Sequence, residues 1–208
     1  MNLEKYEIII LDCDGVIFDS NHLKLDAFRD ALSKFHNDTV DDFIKYFKNN
    51  FGTSRYYLIK VFIGEFLKQE FDEKLYEEIL SRYSQNCVKL YKKSDMTKFF
   101  FKFIETYKSK KLFVASGSDQ EELRMVFKSR GLNKYFIEIY GSPTKKNEIV
   151  QKISLKNSNA IMIGDAKSDM LAAKDNKIDF IFMSDYSTNE EMKKDITLNR
   201  INNLGGLI

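Results

Sequence analysis

Short apolar runs that end abruptly in polar residues or glycine are the feature that most constrains the fold of this 208-residue chain. Three are continuous, Ile8–Leu11, 112–115 and 161–163, as is typical of strands buried on both faces of a parallel sheet. Residues 178–183 and the weaker, alternating 137–140 bring the candidate strands to about five. Because helical patterns lie between them, the sequence predicts an α/β fold with a doubly wound, Rossmann-like parallel sheet.

A long helical stretch interrupts this alternation between about residues 21 and 107. No strand-like run breaks roughly 85 residues of helical periodicity there. Three apolar faces recur at helical spacing: Val40, Phe43, Ile44 and Phe47; Leu58, Phe62 and Phe66; and Leu75, Ile79 and Tyr83. We interpret them as core contacts among the helices of an inserted α-helical cap domain. The predicted core therefore comprises residues 1–19 and 96–208, and the predicted cap residues 20–95.

Composition and charge exclude several classes of protein. No apolar run approaches the ~18 residues of a membrane span, and the acidic start does not resemble a signal peptide, so we expect a cytoplasmic protein without a membrane partner. The 33 basic and 31 acidic residues are mixed along the chain, which argues against a nucleic-acid partner. Cys13, Cys87, His22 and His36 are too few for a disulfide framework or a typical zinc site. We infer no obligate protein partner.

The first apolar run ends in Asp12-Cys13-Asp14-Gly15, at the end of a strand where parallel sheets bind ligands. With a period of two, Asp12 and Asp14 share one side, and Cys13 points away as a buried packing residue. One carboxylate suits a nucleophile. The other, with a proton affinity raised by burial and by its neighbour, suits a general acid and then a base. Gly15 permits a sharp exit of the chain.

The run at 112–115 is followed by Ser116, Gly117 and Ser118. We interpret Ser118 and Glu121 as a capping box that starts a helix over residues 119–130, with Gly131 at its end. A hydroxyl and free backbone N–H groups at a helix start are suited to holding phosphate.

Two further acids, Asp165 and Asp169, follow the run at 161–163. Their strand meets the same edge of the sheet as Asp12 and Asp14. Unit like charges ~4 Å apart repel by roughly 4 kcal/mol at an effective dielectric constant near 20, so a divalent cation would relieve the conflict. Oxygen-only ligands and an anionic substrate favour Mg²⁺. We expect all four aspartates to contribute to this metal site.

Together these motifs resemble phosphatases of the haloacid dehalogenase superfamily that have a helical cap, similar to phosphoglycolate phosphatases. The resemblance covers the whole chain and implies that Asp12 attacks phosphorus. It also implies that Asp14 is the acid and base and lends its backbone carbonyl to Mg²⁺. Asp165 is then a metal ligand, and Asp169 a ligand or a carboxylate behind the ligands.

The same resemblance implies that Ser116, Gly117 and a lysine hold the transferring phosphoryl group. Lys146 is our choice, with Lys145 as the alternative. Arg55, in the segment 50–55, is a candidate contact for a second anionic group of the substrate, although a surface arginine fits the sequence equally well.

These observations favour a Mg²⁺-dependent phosphatase that hydrolyses the phosphate monoester of a small metabolite through an aspartyl phosphate. A phosphomutase of the same fold, similar to β-phosphoglucomutase, uses the same residues and stays open, as does a non-catalytic phosphate-binding protein. A receiver-like phosphoacceptor is disfavoured by the large insertion. A cysteine phosphatase would need an arginine where Asp19 stands, and a dehalogenase does not need Asp14.

Overall fold

A six-stranded parallel sheet forms the centre of the computed structural model, which describes residues 2–154 and 159–208. Met1, with which the predicted core begins, lies outside the described residues. The strands are β1 Ile8–Leu11, β2 Lys111–Asp119, β3 Glu138–Ser142, β4 Ala160–Gly164, β5 Asp179–Met183 and β6 Arg200–Ile201, in the order β3-β2-β1-β4-β5-β6. The predicted doubly wound parallel sheet is thus confirmed. Strand β6 was not predicted, because two residues are too few to show a pattern.

The helices are α1 Asn21–Ala31, α2 Asn37–Asn49, α3 Arg55–Val61, α4 Glu73–Lys93, α5 Phe100–Thr106, α6 Gln120–Ser129, α7 Lys146–Ser154, α8 Lys167–Asp175 and α9 Glu190–Lys194. Helices α6, α7 and α8 pack on the sheet, whereas α1 to α4 pack mainly on one another. Alternate residues of β1 enter two separate apolar clusters, Ile9 on one face and Ile10 on the other. Such burial of both faces explains the continuous apolar runs. Across the described ranges, no helix has the length and apolarity that crossing a membrane requires.

Strand β2 is longer than the sequence predicts. It continues through Asp119, and α6 begins only at Gln120. The N-cap of α6 is Asp119, whose Oδ1 accepts the N–H of Glu122 at 2.9 Å. The predicted capping box headed by Ser118 is therefore wrong, because the Ser118 hydroxyl donates to Asp14 instead. The end of the helix agrees with the prediction, since Gly131 follows it with a positive φ of 67°.

The stretch between β1 and β2, described without gaps, contains helices but no strand. Its interior is aromatic: the Phe28 ring stacks on Tyr83 with centroids 3.7 Å apart and meets Phe47 edge-on at 4.9 Å. Phe43 joins the same group, and all four side chains are buried. These residues come from α1, α2 and α4, so aromatic packing holds the inserted helices together.

The two connections between the inserted helices and the sheet run side by side. The N–H of Asp19 donates to the carbonyl of Asp95 at 3.0 Å, and Phe18 forms a bridge with Met96. These contacts coincide with the predicted boundaries after residues 19 and 95. The division of the chain into two domains at these positions stays a prediction.

Candidate active site

The end of β1 brings Asp12 and Asp14 to the carboxyl edge of the sheet. The N–H of Asp12 still bonds to the Ile163 carbonyl of β4 at 3.0 Å, which fixes its position. Gly15 then turns the chain with a φ of 81°, a conformation that favours glycine. A Cβ at Gly15 would lie 2.4 Å from Asp165 Oδ2, so the turn also needs the missing side chain. Cys13 is fully buried in the apolar core, as predicted.

Three buried carboxylates form one cluster at this edge: Asp12, Asp165 and Asp169 each offer an oxygen, and these oxygens lie within 4.8 Å of one another. Among the described residues, one ammonium group enters the cluster. Lys146 Nζ lies 2.9 Å from Asp12 Oδ1 and 2.5 Å from Asp169 Oδ1. Lys145 is exposed. The structure therefore brings Lys146, and not Lys145, into contact with the predicted nucleophile.

Asp169 holds the cluster in place through both of its oxygens. Its Oδ1 accepts from Lys146, and its Oδ2 accepts the backbone N–H groups of Asp165 at 3.2 Å and Ala166 at 3.0 Å. The side-chain amide of Asn21 donates to Asp165 Oδ2 at 2.6 Å. Asp169 thus shapes the start of α8, while Asn21 orients Asp165 from the first inserted helix.

The cluster has an excess of negative charge. Burial raises the pKa of Asp12 to about 7; Asp169 adds to this shift, and Lys146 only partly opposes it. Burial, followed by the charges of Asp12 and Asp169, also holds the pKa of Asp165 well above its usual range. Closely spaced carboxylate oxygens that repel one another are a donor set for a hard divalent cation, and Mg²⁺ fits it.

Asp14 faces a different group of residues. Its carboxylate accepts hydrogen bonds from Ser20 at 2.6 Å, Ser118 at 2.8 Å and Tyr91 at 2.9 Å, and Lys24 Nζ lies 3.3 Å away. Burial by itself would raise the pKa of Asp14, but Lys24 and the hydroxyl donors outweigh burial and lower it.

One prediction about Asp14 therefore needs correction. Its proton affinity is not raised in this arrangement, because Lys24 stabilises the charged form. Its carboxylate stands outside the cluster of Asp12, Asp165 and Asp169. The metal role that the resemblance implies for Asp14 belongs to its backbone carbonyl and stays a prediction.

Lys24 and Tyr91 were not among the predicted site residues, although both carry a recognisable signal in the sequence. Lys24 lies one helical turn before the buried Phe28, on the apolar face of α1. Tyr91 continues the four-residue spacing of Tyr83 and Cys87, both buried on α4. A lysine on an apolar helical face is costly to bury without a partner, so its position pointed to a buried acid.

The predicted phosphate-binding segment lies beside Asp12. Ser116 is buried, and its hydroxyl accepts the N–H of Ser118 at 3.1 Å. The loop between α2 and α3 covers this segment closely, because a Cβ at Gly117 would lie 2.2 Å from the carbonyl oxygen of Gly52. Beneath the loop is a cavity of about 30 Å³ that Asp12 and Asp14 help to line. The inserted helices thus close over the predicted nucleophile.

Arg55 is the first residue of α3 and lies in the wall of this cavity. It is only 3% exposed, so it is not a surface arginine. Its guanidinium donates to both oxygens of Glu122 at 2.8 Å and to Ser84 Oγ at 2.8 Å. Next to it, Tyr56 donates to Asp119 at 2.7 Å. The candidate substrate contact is therefore already paired with a carboxylate of α6, and nothing in the sequence indicated that pair.

Solved structures with the same fold come from several bacteria. A predicted phosphatase from Clostridium acetobutylicum is 21% identical, with a TM-score of 0.75 and coverage of 97% of this chain and 95% of its own. A predicted phosphoglycolate phosphatase from Haemophilus somnus is 14% identical, with a TM-score of 0.74 and coverage of 96% and 95%. The HAD-hydrolase YfnB from Bacillus subtilis, described as bound to magnesium, is 16% identical, with a TM-score of 0.67 and coverage of 97% and 96%. At these identities the likeness concerns the fold.

A search of curated proteins found no match. The sequence model of a protein family, described as haloacid dehalogenase-like hydrolase, matches residues 9–183. The match begins within β1 and ends with β5, so it includes Asp12, Asp14, Ser116, Lys146 and Asp165. By this match over most of its length, the chain belongs to the haloacid dehalogenase-like hydrolase family.

Proposed function

We propose that this hydrolase is a Mg²⁺-dependent phosphatase that cleaves the phosphate monoester of a small metabolite through an aspartyl phosphate on Asp12. One observation carries the proposal. Asp12 lies at a strand end with Lys146 Nζ 2.9 Å away and two further carboxylates within 4.8 Å. An anionic phosphoryl group can approach a carboxylate only where positive charge offsets both, and Lys146 together with a cation held by the carboxylates would supply that charge.

The roles follow from the positions of the side chains. Ser116, the N–H of Gly117 and Lys146 would hold the phosphoryl oxygens, because they border Asp12 where charge develops. Asp12, Asp165 and Asp169, with the backbone carbonyl of Asp14, would hold Mg²⁺. The bound Mg²⁺ supplies charge neutralisation for the phosphate. Asp169 contributes mainly by fixing Lys146 and the start of α8.

In the first step, an oxygen of Asp12 attacks phosphorus, and the bond between phosphorus and the leaving-group oxygen breaks. Asp14 gives that oxygen a proton. In the second step, water attacks phosphorus, its proton passes to Asp14, and Asp12 regains its carboxylate as phosphate leaves. The second step needs the ionised Asp14 that Lys24 stabilises. Lys24 and Tyr91 belong to inserted helices, so movement of these helices would raise the proton affinity of Asp14 for the first step.

Two features outside the chemistry support the wider proposal. The thiols of Cys13 and Cys87 are free and buried, which suits the reducing cytoplasm where we place the protein. The descriptions of the C. acetobutylicum and H. somnus proteins also name phosphatases, which supports phosphate monoesters as the substrate class.

The proposal is tested with purified protein and p-nitrophenyl phosphate. We expect release of inorganic phosphate that EDTA stops and added Mg²⁺ restores, because hydrolysis by this site needs the cation. Release of inorganic phosphate also separates hydrolysis from transfer to a sugar hydroxyl. The Asp12→Asn variant should be inactive with an unchanged melting temperature. Wild-type rates in Asp12→Asn, or full activity in EDTA, would refute the proposal.

A further inference from the structure

Each cation in the wall of the active-site cavity already has a carboxylate partner. Among the described residues that line the cavity, the cationic side chains are Lys24 and Arg55. Lys24 is paired with Asp14 at 3.3 Å. Arg55 is paired with Glu122 through two parallel N–O contacts of 2.8 Å. Such bidentate pairs are among the strongest contacts that a guanidinium group makes.

Glu122 reaches Arg55 from a fixed position. It lies in the first turn of α6, which follows directly on the strand that carries Ser116. Its backbone N–H is held by Asp119, and its side chain is 12% exposed. The pair thus joins α3 of the inserted segment to α6 of the sheet domain, behind the cavity wall. Arg55 meets a protein carboxylate before any substrate enters.

The remaining described residues of the wall offer no unpaired positive charge to a second anionic group. With Asp14 ionised, as it is in this structure, and the metal ligands ionised, the described residues place five carboxylates in and behind the cavity against three ammonium or guanidinium groups, so a divalent cation only restores neutrality. The phosphate then adds further negative charge. The inserted segment lines the rest of the cavity mainly with apolar groups: Phe47, Phe51, Leu58 and Tyr83.

We infer that Glu122 determines specificity: by neutralising Arg55, it selects phosphate monoesters whose leaving group is a small, uncharged alcohol without a second carboxylate or phosphate. This inference rests on the proposed phosphatase function. A substrate with a second carboxylate is disfavoured because that group would lose its water in the cavity without meeting an unpaired cation. An uncharged leaving group meets aromatic rings and an already neutral ion pair.

The test uses two compounds of nearly equal size, phosphoglycolate and its uncharged amide, phosphoglycolamide. For the wild-type protein with Mg²⁺, we expect kcat/KM to be about tenfold or more higher for the amide. In Glu122→Gln, which leaves Arg55 without its counterion, the ratio of the two kcat/KM values should shift by about tenfold toward phosphoglycolate. A wild-type preference for phosphoglycolate, or an unchanged ratio in Glu122→Gln, would overturn the inference.

Glu121→Gln is the matched control. It makes the same change of charge one residue earlier, but Glu121 is exposed and contacts Arg124, so the ratio should stay at the wild-type value. Because an unpaired buried arginine destabilises a protein, melting temperatures are measured for each variant. If Glu122→Gln does not fold, the double variant Arg55→Met/Glu122→Leu removes both charges and should still prefer the amide. A preference for phosphoglycolate in that variant would contradict the inference.

The two proposals fail in different ways. If the wild-type protein hydrolyses neither compound nor p-nitrophenyl phosphate, the phosphatase function falls, and the inference about Glu122 falls with it. If it hydrolyses p-nitrophenyl phosphate but prefers phosphoglycolate to the amide, only the role of Glu122 is refuted.

Discussion

Asp12 and Asp14 are two residues apart and both buried, yet their surroundings are opposite. Around Asp12, two further carboxylates share one ammonium group, and its pKa rises to about 7. Around Asp14, an ammonium group and three hydroxyl groups converge on one carboxylate, and its pKa falls below the usual value. The same motif therefore places one carboxylate where positive charge is lacking and the other where the protein already supplies it.

The two carboxylates therefore differ in whether they require a bound cation. The negative charge around Asp12 would be balanced by a bound cation that also neutralises the phosphate of the substrate, as the proposed chemistry requires. Asp14 needs no cation, and its partners instead determine when it carries a proton. Burial acts on both residues alike, so it is the neighbouring charges that set them apart.

The largest effect is expected from removing the ammonium group on the Asp12 side. Lys146→Met should lower kcat/KM by roughly a hundredfold to a thousandfold, because developing charge on the phosphoryl group loses a preorganised cation. Steady-state assays with p-nitrophenyl phosphate measure this loss. Lys145→Met, at the exposed neighbouring lysine, serves as the control and should remain within about twofold of wild type. A larger loss in Lys145→Met than in Lys146→Met would reverse the assignment of the lysine.

On the Asp14 side, Lys24→Met should destabilise the protein by about 3 kcal/mol at pH 7, since it breaks a buried ion pair. Asp14 has a depressed pKa, so its contribution to stability is present above its unfolded value of 3.8 and is lost as the pH falls through the folded pKa. The difference between variant and wild type should therefore shrink at low pH. Urea titrations at pH 7 and pH 3 measure it, with the exposed Lys89→Met as control. A pH-independent difference would contradict this account.

Cation binding should separate the two carboxylates directly. Asp12→Asn should weaken Mg²⁺ binding by about tenfold or more, because it removes one of the three clustered carboxylates. Asp14→Asn keeps the backbone carbonyl and should change the affinity by less than about threefold. Isothermal titration calorimetry gives both values. Equal weakening in the two variants would place the Asp14 carboxylate among the ligands after all.

The smallest effect is the pH dependence of that binding. The pKa of Asp12 is about 7, so at lower pH this carboxyl group carries a proton in the metal-free protein. The cation must displace that proton in order to bind. The apparent Mg²⁺ affinity should then fall by about tenfold or more for each pH unit below 7, since Asp165, whose pKa is also raised, must be ionised as well. Titrations between pH 6 and pH 8 test this, and Asp12→Asn should show a shallower dependence. An affinity that is constant across this range would show that Asp12 is already ionised.

The sheet and the acidic cluster were accessible from the sequence because both follow from local patterns. An apolar run followed by an acid predicts a strand end, and parallel strands bring such ends together, which is how Asp12 and Asp165 meet; Asp169 joins them from the first turn of α8. The surroundings of Asp14 were not accessible in this way. Lys24 and Tyr91 lie in inserted helices, and no local sequence pattern predicts where those helices place their side chains relative to Asp14. Without that placement, burial alone predicts a raised proton affinity, which is the opposite of what the structure shows.

The pair of Arg55 and Glu122 illustrates the same limit. Each residue is ordinary in its own helix, and 67 positions separate them in the sequence. The end of β2 was mispredicted for a related reason. Asp119 and Ser118 are both good N-caps, and the choice between them depended on whether Asp14 would take the Ser118 hydroxyl.

The close contact between Gly52 and Gly117 restricts how this protein could change its preference for substrates over evolutionary time. A methyl group at Gly117 would meet the Gly52 carbonyl at 2.2 Å, and one at Gly52 would meet Ser168 Oγ at 2.1 Å. Even the smallest side chain at Gly117 would push the covering loop off the predicted phosphate-binding segment, and one at Gly52 would displace Ser168 and strain a backbone whose φ is 80°. We therefore expect new specificities to arise through other side chains of the cavity wall, while Gly52 and Gly117 are retained where the covering loop contacts the sheet.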